Sequence, residues 1–132
     1  AVAPPVDVRG LLEALPALTI TAETTAADAD AAMRPIGWMN ERLLGVMRFS
    51  GRTPWERHPD GDEMLQVLDG EVEITVLTAT GSERHTARAG SLFICPQGLW
   101  HRQFAAAPVT ILYATAVATS EVSFEVDPRR AR

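Results

Sequence analysis

Hydrophobic and polar residues alternate most cleanly over 71–78, EVEITVLT, where Val72, Ile74 and Val76 oppose Glu71, Glu73 and Thr75. A period of two marks a strand with one face buried. Short runs of the same kind continue along the chain between turn residues. LLGVMRF precedes SGRTP, EMLQVL precedes Asp69-Gly70, ERHTARA follows ATGS, and SLFICP follows Gly90. After a Pro96–Gly98 turn come LWHRQFA, then VTILYATAV, and last EVSFEV. Asp69-Gly70 is a strong two-residue hairpin signal, predicting that EMLQVL and EVEITVLT fold back on one another. Seven or eight short strands at this spacing predict an all-β sandwich or barrel, with no repeat or linker to divide it.

The first forty residues read differently. DVRGLLEALP predicts a short helix capped by Asp7 and stopped near Pro16, and ALTITAETT a short strand. TAADADAAMRP fits either a helix or a surface loop, because alanine favours helix but the segment has almost no apolar stripe to bury. Residues 1–42 are therefore expected as an extension packed on a barrel made by residues 43–132, one domain in all.

The chain has 132 residues, 46% hydrophobic and 22% charged, which is ordinary for a globular domain. No apolar run approaches the roughly 18 residues of a membrane span, and no secretory signal pattern opens the sequence. Cys95 is the single cysteine, which excludes an internal disulfide and points to a reducing, cytoplasmic setting. A net charge of −5 argues against nucleic acid as a partner. Lysine is absent, so Schiff-base chemistry and a lysine general base are excluded.

Chemistry concentrates in WERHPDGDEMLQVLDGE, residues 55–71. Alternate residues of a strand share a face, so Glu56 and His58 point one way and Arg57 the other. If residues 59–62 close a hairpin, His58 and Glu63 become opposed neighbours with Cβ atoms about 5 Å apart, and Glu56 faces Leu65. One face of one hairpin would then offer an imidazole and two carboxylates. Either a metal holds them together, or the stretch is a solvated acidic turn.

A second stretch bears on that choice. GSLFICPQGLWH, residues 90–101, places Gly90, Pro96, Gly98 and His101 in a spacing that resembles the second motif of the cupin superfamily, G-x5-P-x-G-x2-H-x3-N, with Ala105 in place of the final Asn. The first cupin motif, G-x5-H-x-H-x3–4-E-x6-G, matches at His58, Glu63 and Gly70, with Glu56 in place of the first histidine and the leading glycine off register at Gly51. The resemblance covers roughly residues 43–117. It implies an antiparallel jelly-roll β-barrel, to which the short N-terminal helix and strand would be an extension. It also implies a metal site at Glu56, His58, Glu63 and His101. Such a donor set favours a divalent Fe, Mn or Zn ion, with Ni or Cu as further candidates.

Gln103 lies two residues after His101 on the same strand face, where it can contact a substrate or serve as a satisfied polar group of the barrel. Glu56 is the candidate catalytic residue as well as a candidate ligand: it can bind the metal directly or stand back and move protons. His85 beside Glu83 reads as a surface residue, Trp55 and Trp100 as outer-face residues, and Tyr113 as core. The resemblance implies a metal-dependent enzyme of dioxygenase, isomerase or lyase type acting on a small molecule in the barrel. The alternative is a binding or sensing cupin without turnover. Edge strands that need cover, EVSFEV among them, imply a homodimer.

Overall fold

In a computed structural model that describes residues 2–130, strands dominate, the two α-helices lie in the first third of the chain, and one 3-10 turn, Pro128–Arg130, ends it. Residues 1, 131 and 132, the outer ends of the two expected segments, lie outside the described residues. Helix α1 (Val8–Ala14) starts at Asp7, whose carboxylate accepts from the Gly10 amide at 3.1 Å. Strand β1 (Leu18–Thr19) follows. Helix α2 (Ala26–Ala31) resolves the segment that composition leaves open: Thr25 and Asp28 form a reciprocal capping box. Its capping compensates for burial, since none of its residues is buried.

Strand β2 (Met33–Met39) turns at Asn40-Glu41 into β3 (Arg42–Arg52) and pairs with it antiparallel. Both turn residues have positive φ, 49° and 63°, the backbone that suits the twist of a tight hairpin. Then come β4 (Trp55–Arg57), β5 (Glu63–Asp69), β6 (Glu71–Leu77), β7 (Ser82–Arg88), β8 (Leu92–Cys95), β9 (His101–Thr115) and β10 (Glu121–Ser123).

Strand β9 is the spine. Along one edge it pairs with β3 and, at His101, with β4; along the other it pairs with β5 and β6. Its C-terminal half belongs to a leaf β2-β3-β9-β5-β8, and its N-terminal half to a leaf β10-β4-β9-β6-β7. Sharing one strand curls the two leaves over a common core. Leu65, Ile74 and Ile111 are fully buried there, each worth about 1.5–3 kcal/mol of transfer free energy.

Two expectations from turn chemistry are corrected. LWHRQFA and VTILYATAV are not separate strands but the two halves of β9, bent at Ala106–Pro108, where register with β3 shifts. Proline has no N–H to give a ladder, so the strand bulges there instead of ending. Asp69-Gly70 is not a hairpin. Strands β5 and β6 run end to end along β9 in one direction, and the inward residues change from 63, 65 and 67 to 72, 74 and 76 across the bend. Gly70 makes this possible with φ +84°, and a Cβ there would lie 2.8 Å from the Pro108 carbonyl oxygen. Gly90 also has positive φ, but its Cβ would meet open space. Gly70→Ala is therefore expected to cost more than Gly90→Ala in urea unfolding. The left-handed backbone should cost about 1–2 kcal/mol at either site, and only Gly70 adds the clash.

Candidate metal centre

The chemistry lies at one end of the curl, where the two leaves come together. His58 follows the last residue of β4, His101 is the first residue of β9, and Glu63 is the first residue of β5 in the opposite leaf. The expected hairpin between His58 and Glu63 does not exist, because β4 pairs with β9 and β10, whereas β5 pairs with β8 and β9. Residues 59–62 are a crossing between leaves. They bring the two side chains together nonetheless, with His58 Nε2 at 3.4 Å from Glu63 Oε2.

The loop before His101 fastens that crossing. The Gly98 amide donates to the His58 carbonyl at 3.1 Å, the Gln97 amide to Asp62 Oδ1 at 2.8 Å, and Gln97 Nε2 to the Pro59 carbonyl at 2.6 Å. Gly98 reaches this geometry with φ +77°. The Pro-x-Gly turn of one stretch thus staples the Pro-Asp-Gly-Asp turn of the other.

His101 Nε2 lies 3.0 Å from Glu63 Oε1, so the two rings approach the two oxygens of one carboxylate. His58, Glu63 and His101 are buried, at 5%, 7% and 2% exposure. One donor atom from each falls within 4.8 Å of the others. The far side of each ring is also occupied. His101 Nδ1 faces the Leu99 carbonyl at 3.1 Å, an acceptor that requires the ring nitrogen to carry the proton. His58 Nδ1 faces Ser120 Oγ at 2.7 Å. His58 Nε2 is buried without a hydrogen bond, and at 3.4 Å its approach to Glu63 is a charge contact only. Two ring nitrogens aimed at a buried carboxylate need a cation between them, either a proton or a metal ion. The residues fit a divalent ion on both counts, donor chemistry and an unsatisfied buried nitrogen.

The electrostatics describe the protonated alternative. Burial disfavours charge on His101, but the nearby Cys95 sulfur and the hydrogen bond and charge of the Glu63 carboxylate outweigh it and push its pKa up to about 11. Burial likewise pushes the Glu63 carboxyl up, yet the His101 hydrogen bond, the His58 contact and the charge of both rings bring it down to about 2. Glu56 moves the other way. Loss of solvent, then the neighbouring Glu63 charge, raise its pKa above the ordinary carboxyl value.

Glu56 sits beside this trio, not within it. Its backbone is in register with His101 and its Oε1 lies 4.0 Å from His58 Nε2, with 35% of the side chain open to solvent. Gln103 points inward from β9, is 5% exposed, and leaves Oε1 buried without a partner. His85 pairs with Glu83 on the surface, apart from the site. Trp55 is stacked under Arg102 at 4.2 Å and Trp100 under Arg57 at 4.6 Å, while Tyr113 is buried in the core. Sequence reasoning missed Cys95, which touches His101, and Ser120, which is 62 residues from His58 and carries no local signal. Two surface grooves of about 870 and 830 Å³ flank the barrel; neither is lined by Glu56, His58, Glu63 or His101.

The family model described as Cupin domain matches residues 45–114, more than half of the chain. The chain is a cupin. A relative, the uncharacterized protein YdbB of Bacillus subtilis (strain 168), is 30% identical over 67 residues, and this cupin spans 51% of its own length and 57% of that protein in the match. Among solved structures, a cupin-2 domain containing protein from Shewanella frigidimarina is similar at TM-score 0.61 and 19% identity, over 89% of this chain and 94% of that one. Hydroquinone 1,2-dioxygenase PnpCD, solved with Cd2+ and 4-hydroxybenzonitrile, is similar at TM-score 0.55 and 22% identity, over 64% and 63%. At these identities the likeness is one of fold.

In the metal-free cupin the Glu63–His101 pair links folding to pH. The depressed Glu63 pKa stabilises the fold above its ordinary value of 4.5 and loses that effect toward pH 2. The raised His101 pKa stabilises fully below its ordinary value of 6.5 and loses that effect as pH climbs to about 11. Thermal melts of chelator-treated protein should show the pair's contribution greatest between pH 4.5 and 6.5 and declining on either side. His101→Gln should flatten the alkaline decline.

Proposed function

We propose that this cupin holds one divalent transition-metal ion on His58, Glu63 and His101 and uses it to transform a small organic molecule inside the barrel. One observation carries the reading: two imidazoles, each engaged at Nδ1, converge through Nε2 on the two oxygens of one buried carboxylate. Two nitrogens and a carboxylate suit Fe(II), Mn(II) or Zn(II) ahead of Ni(II) or copper. Such an ion supplies Lewis-acid polarisation of a substrate oxygen or, as iron, redox chemistry.

The chain's own residues have distinct tasks around it. Glu56 stands beside the cluster with 35% of its side chain exposed and a raised pKa, so it can carry a proton between solvent and the interior or act as a further ligand. Gln103 presents a free buried acceptor suited to a substrate hydroxyl or amine. Leu65, Val67 and Ile111 keep the interior apolar. Dioxygenase, isomerase and lyase reactions all fit this equipment, and likeness of fold to hydroquinone 1,2-dioxygenase favours the first by analogy only.

A second reading, a cupin that binds or senses without turnover, is supported by closure of the site: the trio is almost fully buried and the large grooves lie elsewhere. Purified protein should carry about one equivalent of a first-row metal by elemental analysis, and the double variant His58→Ala/His101→Ala should lose it. Metal retained at full stoichiometry would refute the site. Glu56→Ala should weaken metal at least several-fold and Glu56→His preserve it if Glu56 ligates; unchanged affinity with lost turnover would assign it to proton transfer.

The partner we propose besides a small molecule is a second copy. Strand β10 is a sheet edge, and Val122 in it and Phe124 and Val126 after it are 56%, 85% and 92% exposed. Such an edge favours a homodimer. The net charge of −5 makes nucleic acid a poor partner. No helix among the described residues is long and apolar enough to cross a membrane, and the buried free thiol of Cys95 suits the cytoplasm. Light scattering over a tenfold dilution at micromolar concentration should return the dimer mass for the parent. Phe124→Glu should shift it to the monomer.

A further inference from the structure

We propose that Ser120 is a positioning residue of this centre, locking His58 in the tautomer that carries its proton on Nδ1 and turns the Nε2 lone pair toward Glu63. The inference rests on the metal-site reading above and adds the residue that sets the direction of one donor.

The argument is a count of protons. A serine hydroxyl has one proton and two lone pairs. Ser120 Oγ lies 2.9 Å from the Ala116 carbonyl oxygen, which can only accept, so the hydroxyl proton is directed there. What Ser120 offers His58 at 2.7 Å is then a lone pair, and Nδ1 must donate into it. The proton chain runs from Nδ1–H of His58 to the serine oxygen, and from the serine O–H to Ala116. With Nδ1 protonated, the neutral ring bears its lone pair on Nε2, the buried atom that has no hydrogen bond and faces Glu63. The opposite tautomer would require Ser120 to abandon Ala116. It would also require an Nε2–H bond to Glu63 across 3.4 Å, where no aligned hydrogen bond exists.

The two histidines are therefore oriented by different means. His101 is held by a main-chain carbonyl, that of Leu99, which no substitution removes. His58 is held by one exposed side chain on the turn between β9 and β10, closed by the Ser120 amide on the Val117 carbonyl at 3.3 Å. Strand β10 continues from that turn and pairs Val122 with Glu56. A single surface turn thus reaches the centre twice, once through the His58 ring and once through the strand that carries Glu56. Hydrogen bonds of this kind orient a ligand and raise its basicity, and their loss costs metal affinity.

The test compares Zn2+ affinity of the parent, Ser120→Ala and Ser120→Thr by competition with a chromophoric chelator. It also records ring-nitrogen chemical shifts of His58 in the zinc-free parent in alkaline buffer. Ser120→Ala should weaken Zn2+ by about 10–100-fold, and Ser120→Thr, which restores the hydroxyl, should recover most of it. The parent should show His58 protonated on Nδ1, and Ser120→Ala should lose that preference with its melting temperature little changed. Zn2+ bound equally by parent and Ser120→Ala, or a parent His58 protonated on Nε2, would overturn the proposal. A parent that takes up no Zn2+ would instead defeat the metal-site reading, and the His58 tautomer would still decide the role of Ser120.

Discussion

Backbone pairing along β9 is the constraint on which the rest of the structure hangs. One strand of fifteen residues satisfies hydrogen bonds from β3, β4, β5 and β6, and it can do so only because it bends at Ala106–Pro108 and its partners bend beside it. Unpaired backbone groups in a buried strand are costly, so the bend is shared: β3 shifts register near Gly51, and the β5–β6 line turns at Gly70. The curl that results makes a closed core from two leaves too small to bury one separately. It also places His101, the first residue of the spine, opposite the first residue of β5.

That juxtaposition creates an electrostatic problem that the site answers. Glu63 enters the interior from one leaf and meets two imidazoles from the other. An ionised carboxylate taken out of water costs several kcal/mol unless it is paired. Here the pairing is with rings whose outer nitrogens are already engaged by Ser120 and Leu99, so both inner nitrogens are left facing the carboxylate. A cation between them satisfies this arrangement: a proton shared with His101 or, on the function proposed above, a metal ion. Metal binding on that reading would release the proton, the usual linkage at such centres.

The two turns around the site have a mechanical part in this. Asp62 and the His58 carbonyl, on the crossing between leaves, receive the amides of Gln97 and Gly98. The crossing has no strand partner of its own, and these bonds hold it in place of a ladder. Trp55, next to Glu56, is buried at 4% exposure beneath Arg102 with its indole N–H on the Val126 carbonyl, and Trp100, next to His101, lies under Arg57.

Much of this was legible in the chain itself. Alternation over 71–78 marks β6, Asp7 marks the start of α1, and the spacing of His58, Glu63, Gly70, Gly90, Pro96, Gly98 and His101 carries the family, because each depends on local backbone geometry or on short loops. The tertiary structure decided what lies between distant segments. Asp69-Gly70 has the composition of a hairpin, yet it is a bend, because β9 offers both β5 and β6 a partner that local turn chemistry cannot anticipate. His58 and Glu63 meet across two leaves and not within one hairpin, and Ser120 reaches His58 over 62 residues. A sequence states which groups can accept or donate a proton; only the packed chain, by removing water and choosing neighbours, determines which nitrogen keeps one.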